Sequence, residues 1–371
     1  MRLVRPSLTA IGFYGDKPTF LRLRTFKVYT TSVAPNREIR ETHRVIEAYN
    51  TPAGAFNQNK VYCKHALKEL FVNLVTIVIL SRGKCGLSKG VTRYLVAMAT
   101  ADLLVIVLDL ILKQIPIVFS RAFQDVLAIH LCNIHAVLLY AATDCSVWFT
   151  VSFTFDRFVA IYCSKLKTKF CTERMAAGII GTIALLFSVK DLFWYFMYTS
   201  EYALIRIPWF CIITFSVMLS PVWTAVEFLH YVFTPLIPFI LILVFNALIV
   251  KHIVVTIRIR KALRVPVGGE SQSDPEAKSR RKSITLLFLI SGNFILLWAP
   301  YLVGTMQTRI ILLDWNDKRH TSLILLELGF MLQLLSCCTN TFIYVVTQTK
   351  FREELRNGMR YPFIALCSKI K

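Results

Sequence analysis

Apolar residues in this chain come in long runs, separated by short polar stretches rich in lysine and arginine. An amphipathic helix of a soluble protein shows one apolar stripe, whereas a long run apolar all round fits a membrane span. Crossing takes about 20 residues. Six runs reach that length: Val91 to about Phe119, Leu131–Tyr162, about Met175–Met197, about Val222–Val255, Ser283–Met306 and about Ser322–Val346. A seventh, Leu70–Leu80, is apolar but short, because Lys64, His65, Lys68 and Glu69 precede it. Each such charge costs ~2.5–3.5 kcal/mol near a bilayer centre. The expected fold is an all-α membrane protein, a seven-transmembrane helix bundle over residues 62–349. A charged amphipathic segment, Lys350–Tyr361, is expected to lie on the cytosolic membrane surface, within a C-terminal tail of residues 350–371.

Composition sharpens this picture. The chain is 55% hydrophobic, glycine not counted, with a mean hydropathy of +0.55. Soluble domains average roughly 45–50% by a count that includes glycine. The net charge of +21 sits mainly in short loops between runs, which favours a membrane over nucleic acid as the partner. Arg82, Lys84, Lys89 and Arg93 flank one side of the bundle, as do Lys165, Lys167, Lys169 and Arg174, and then Arg258, Arg260, Lys261 and Arg264. By the positive-inside rule that side is cytosolic, so the N-terminus lies outside. Residues 1–61 carry no apolar core of signal-peptide type, and residues 1–60 hold ten Lys or Arg against four acids. They are expected to be disordered, and residues 1 to about 69 are expected to come from a misread upstream exon.

Candidate chemistry clusters inside the runs. Cys132 and Arg157 lie 25 positions apart in the third run. One helix would separate them by roughly 37 Å, more than the roughly 30 Å hydrocarbon core. Asp102 sits mid-membrane, where an ionisable residue is a functional candidate. Ser146, Ser336 and Asn340 offer oxygens at similar depth, which suits a sodium ion or a water cluster; the alternative is a protonated Asp102 bonded between helices. Asp156-Arg157-Phe158 closes the third run, an interfacial ion pair or a switch. Trp298 and Pro300 set a large rotamer beside a helix-bending proline, a candidate hinge. Tyr344 ends the seventh run toward the cytosol. The ten cysteines show no metal-ligand spacing, and no phosphate loop or nucleophile elbow occurs, so no enzyme is expected.

A ligand pocket is expected between the outer halves of the spans. Its candidates are Asp109, Lys113, Tyr140, Thr143, Asp144, Glu227, His230, Tyr301 and Glu327. Four acids against one lysine and one histidine favour a cationic or zwitterionic ligand with an aromatic or apolar body. The alternative pairs Asp109 with Lys113 and Glu227 with His230 by helical spacing, leaving an apolar pocket.

The ordered set of Asn73, Asp102, Cys132, Asp156-Arg157-Phe158, Pro238, Trp298-x-Pro300 and Asn340-x-x-x-Tyr344 resembles the rhodopsin-like (class A) G-protein-coupled receptors. Ser146-Val-Trp-Phe-Thr-Val, Leu243-Val-Phe-Asn246 and Leu297-Trp-Ala-Pro300 are most similar to the receptor 139/142 group. That resemblance implies a Cys132–Cys211 disulfide and an activation switch of Asp156, Arg157, Phe158, Asn246, Trp298, Pro300, Asn340 and Tyr344. It also implies a heterotrimeric G protein as partner, often of the Gq class, and aromatic amino acids or related peptides as ligands. The group's ligand-contacting acid would fall at Leu139 and its basic partner at Tyr301, and neither charge is present. The proline usual in the seventh-span motif is replaced by Thr341. A transporter or channel is the rival reading, but the chain shows no internal repeat of the kind transporters carry.

Overall fold

The computed structural model describes residues 69–114, 132–197, 220–262, 275–313 and 319–358. Regular structure in these segments is entirely helical. Six helices are long and apolar enough to cross a membrane, and a shorter apolar helix, α1 (Glu69–Ser81), stands at the expected first span. The protein is a seven-helix membrane bundle. The expectations for residues 1–61 lie outside the described residues.

Local signals set several helix starts. Ser88 caps α2 (Lys89–Val105), its hydroxyl accepting the N–H of Val91 at 3.4 Å. Beyond Val105 the span loosens into a π-helical stretch, Ile106–Gln114. α3 (Cys132–Tyr162) is a single helix of 31 residues. A short helix, Ser164–Phe170, follows it. Thr172 caps α4 (Glu173–Lys190) through the N–H of Met175 at 3.2 Å, and Glu173 places a negative charge in its first turn. α4 tightens at its end into a 3₁₀ turn, Asp191–Phe196. Ser220 caps the fifth span, α5, and Pro221 takes the first helical position, where its missing N–H costs nothing. α5 runs Pro221–Tyr231, breaks at Val232–Leu236 around Pro235, and continues Ile237–Ala262. α6 (Pro275–Leu313) contains Pro300, and α7 (Arg319–Thr347) is followed by α8, residues 349–358.

α3 is the central rod. It packs against α2, α4, α5 and α6. Of its apolar window 56% is buried, against 11% for α4. Leu185, Leu186 and Val189 of α4 are exposed and face lipid. Toward the Arg157 end of α3, Tyr94, Met98, Phe153, Ile249, Leu286 and Tyr344 share one apolar cluster, into which α8 inserts Phe351. Phe239, Phe294, Trp298 and Tyr301 form a second between α5 and α6. α6 and α7 approach so closely that a Cβ on Gly329 would lie 2.5 Å from the Tyr301 Cα.

Candidate functional site

Three groups of polar side chains lie along α3. The middle one is built on Asp102, which is 1% exposed. A buried carboxylate is stable only when paired. Ser146 of α3 donates to its Oδ1 at 2.5 Å, and Asn340 of α7 donates Nδ2–H to its Oδ2 at 2.9 Å. Ser336 lines the same cavity, together with Thr150, Asn293, Phe294 and Trp298. The cavity leaves about 10 Å³ for the centre of a guest, close to the requirement of one water. Its donor set of one carboxylate, hydroxyls and amide oxygens fits a single water or a small hard cation. Thr150 and Asn293 belong to this wall although neither stood out in the sequence.

α1 is tied to α7 beside this cavity. Asn73 donates to the Cys337 carbonyl at 3.2 Å, and the Thr76 and Thr341 hydroxyls meet at 2.7 Å. Thr341, the residue standing in place of the usual proline, thus takes part in a helix–helix bond.

A second group, at the end expected to face the cytosol, closes α3. Arg157 pairs with Asp156 through Nη2 and through Nε at 3.0 Å, and reaches the Ser283 hydroxyl of α6 at 3.4 Å. Their side chains are 12% and 5% exposed. Phe158 stacks on Phe245 of α5 with ring centroids 5.4 Å apart. The Cys171 thiol donates to the Asp156 carbonyl at 3.4 Å. Its pKa is pushed up to about 11, by burial first and by the Asp156 charge second. Among the described residues the Tyr344 Oη and the Asn246 Oδ1 are buried without a hydrogen-bond partner. Trp298 is buried between Phe294 and Tyr301, 5.3 and 5.9 Å away by ring centroid.

The outer group joins α3, α4 and α5. Asp144 and Asp191 are 0% exposed and His230 is 8% exposed. Lys190 forms ion pairs with Asp144 and, at 2.8 Å, with Asp191. Its Nζ also lies 3.2 Å from His230 Nδ1. Trp194 donates to Asp191 at 3.2 Å and stacks on Tyr140, with ring centroids 4.0 Å apart. His230 meets the edges of both rings at 5.2 Å. Spacing along α5 suggests Glu227 as the partner of His230; in the bundle the imidazole meets Lys190 of α4 and Asp144 of α3, because two neighbouring helices each bring a charged group against it. Lys190 and Asp191 complete the group without standing among the sequence candidates, and an adjacent Lys-Asp pair closing an apolar run is the signal that marks them.

The remaining pocket candidates are more dispersed. Asp109 is half-buried in the π-helical stretch, Thr143 is half-buried on α3, and Tyr301 packs on Trp298 and Phe330. Cys211 and the side chains of Cys132, Lys113 and Glu327 lie outside the described residues.

Comparison with known proteins bears on the whole bundle. Residues 72–344 match the family described as 7 transmembrane receptor (rhodopsin family). The chain is similar to the G-protein coupled receptor 39 of Bos taurus, 22% identical over 321 residues, 77% of this chain and 68% of that one. It is 32% identical over 85 residues to the C-C chemokine receptor type 3 of Macaca mulatta, 22% of this chain and 24% of that receptor. It is 24% identical over 119 residues to the B2 bradykinin receptor of Rattus norvegicus, 31% and 28% of the two chains. The chain thus spans about a quarter of the length of these last two relatives.

Proposed function

The chain belongs to the rhodopsin family of seven-transmembrane receptors, and from that premise we propose that it turns binding of an extracellular ligand into activation of a heterotrimeric G protein at the plasma membrane. The N-terminus faces outward in this reading, as the cytosolic excess of lysine and arginine requires. The observation that carries it is the caged arginine. Arg157 sits nearly buried at the cytosolic end of the central helix, held by Asp156 and by Ser283 of α6. A guanidinium so placed is free to meet a partner only if α6 moves away. Pro300 supplies the bend about which such a movement can turn.

Asp102, Ser146, Ser336 and Asn340 form the hinge's polar seat in this reading, with Trp298 in its wall. A sodium ion held there would add a positive charge beside Asp102 and tie α2, α3 and α7 in the resting state. The unpartnered Tyr344 Oη and Asn246 Oδ1 are groups that a rearranged bundle can pair.

The likeness of Ser146–Val151, Leu243–Asn246 and Leu297–Pro300 to the receptor 139/142 group supports an aromatic amino-acid-like or peptide ligand and coupling through the Gq class. The relatives are named for a chemokine and for bradykinin, two different ligands, so the ligand reading rests on this chain's own outer residues. Tyr140, Trp194 and His230 form an aromatic wall there beside Asp144. The test is agonist-dependent nucleotide exchange on an added G protein, following a screen of aromatic amino acids and peptides with calcium and cyclic-AMP readouts. Arg157→Ala should abolish exchange while surface expression stays near wild type. Normal exchange by that variant refutes the assignment, and ligand flux into vesicles would favour a transporter.

A further inference from the structure

The outer group contains more carboxylate than its own cation can balance. Asp144 and Asp191 bring two buried carboxyl groups together, and Lys190 supplies one ammonium between them. An ammonium has only protons to offer, so the Lys190 Nζ donates to His230 Nδ1, which therefore presents a lone pair. Three lone-pair atoms, Asp144 Oδ2, Asp191 Oδ1 and His230 Nδ1, converge on one point from three different spans. Ligand atoms of the three residues all lie within 4.8 Å of one another.

Two further features mark the point as a cation seat. Asp144 Oδ1 and Asp191 Oδ2, the second oxygens of the two carboxyls, are buried without a hydrogen-bond partner among the described residues. Thr234 is 2% exposed and lies beside Asp144. Lys190, by contrast, has 35% of its side chain exposed and closes the outer end of α4. A long flexible lysine at that position can swing to the headgroup layer. We propose that Asp144, Asp191 and His230 form a binding site for a divalent transition-metal ion, with Lys190 as its tethered competitor. Exchange of the ammonium for a divalent ion brings the two carboxylates, the neutral imidazole and the metal to zero net charge.

The ligand chemistry selects the metal. One imidazole and two carboxylates suit zinc, whereas magnesium and calcium prefer oxygen alone. Tetrahedral zinc with bonds of ~2.1 Å has ligand–ligand edges of roughly 3.4 Å, so ligand atoms that lie within 4.8 Å of one another close by at most about 1.4 Å. Water or the Thr234 hydroxyl supplies a fourth ligand. Bound in this way, the ion clamps α3, α4 and α5 to one another.

The test is titration of the purified full-length protein in nanodiscs with zinc, followed by calorimetry and by the thermal unfolding midpoint, with magnesium as control. Zinc should raise the midpoint and magnesium should not. Lys190→Met keeps the ligands and removes the competitor, so it should bind zinc at least tenfold more tightly. Loss of the ammonium leaves two buried carboxylates facing each other, so this variant should also depend on zinc for its stability. His230→Phe leaves Lys190 paired with both carboxylates and should keep the fold while losing at least tenfold in zinc affinity. A wild-type protein indifferent to zinc, or a His230→Phe variant with an unchanged zinc response, overturns the proposal.

Discussion

Gly329 is where a single methyl group should do most damage. A Cβ there would lie 2.5 Å from the Tyr301 Cα, 2.7 Å from its nitrogen and 3.1 Å from the Pro300 carbonyl carbon. These are backbone atoms, which cannot rotate aside, so α6 and α7 must separate by about an ångström to restore van der Waals contact. Overpacking of this kind costs about 1–3 kcal/mol, and the upper half of that range applies where backbone meets backbone. Gly292, also on α6, provides the internal control, because nothing lies within 4 Å of its added Cβ. There the substitution to alanine gains helix propensity, up to about 1 kcal/mol. Gly329→Ala should thus fall below Gly292→Ala by roughly 2 kcal/mol, the overpacking cost alone, because both glycines lie inside helices and the propensity gain cancels. Thermal unfolding of the purified protein in one detergent should separate the two midpoints by roughly 4–8 °C. The wedge also sits beside Pro300, so Gly329→Ala should change basal G-protein activation where Gly292→Ala does not. Equal midpoints for the two variants would refute the packing argument.

Other consequences are briefer. Asn340→Ala takes a donor from the buried Asp102, and should cost about 1–3 kcal/mol by soluble-protein experience but nearer ~0.6 kcal/mol in a bilayer; thermal unfolding decides which scale applies. Cys171, with a thiol pKa of about 11 against a usual 9.0, should alkylate slowly at pH 8 in the folded protein and quickly once unfolded. Its raised pKa contributes stability that is full below pH 9 and lost as pH rises toward 11, so pH titration of the unfolding midpoint should show a decline in that window. Cys132 and Cys211 should appear as a disulfide in peptide mass mapping of surface protein, and two free thiols would require redrawing the outer side.

The helices were legible because a bilayer demands one property, long apolar length, which composition shows directly. α3 came out as one rod of 31 residues, Cys132–Tyr162, because no Pro or Gly interrupts it. α1 was legible only in its Leu70–Leu80 core, as charges crowd its start. The convergence of Asp102, Ser146 and Asn340 was readable from depth, since helical rise alone puts them at one level. Rotation about each helix axis was not readable in the same way. Glu227 and His230 share a face by spacing, yet His230 turns to Lys190, which lies 40 positions away in sequence. Only tertiary packing of α4 against α5 decides that. Thr341 read as a missing proline and proves to be a hydrogen-bonding residue, for its partner Thr76 lies 265 positions away.

Contacts to α6 explain why movement there can be selective. Ser283 meets Arg157 at 3.4 Å, a long and weak hydrogen bond. Trp298 touches the mid-membrane cavity, and Tyr301 abuts Gly329 near the outer end. Ser283 and Trp298 are 15 residues apart, roughly 22 Å along the axis. The strong bonds at Asp102 run to α3 and α7 and include no α6 residue. The proposed tilt of α6 about Pro300 would break two long bonds at its end, Arg157–Ser283 at 3.4 Å and Lys282–Thr349 at 3.3 Å, and slide apolar rings at its fulcrum. The hydrogen bonds of Asp102 to Ser146 and Asn340 would be kept, while Asn293, Phe294 and Trp298 of α6 would shift in the cavity wall. The opposite arrangement, with Asp102 bonded to α6, would charge every such movement the full cost of stripping a buried carboxylate. In the proposed switch, the buried carboxylate is therefore tied to helices other than the one that would move.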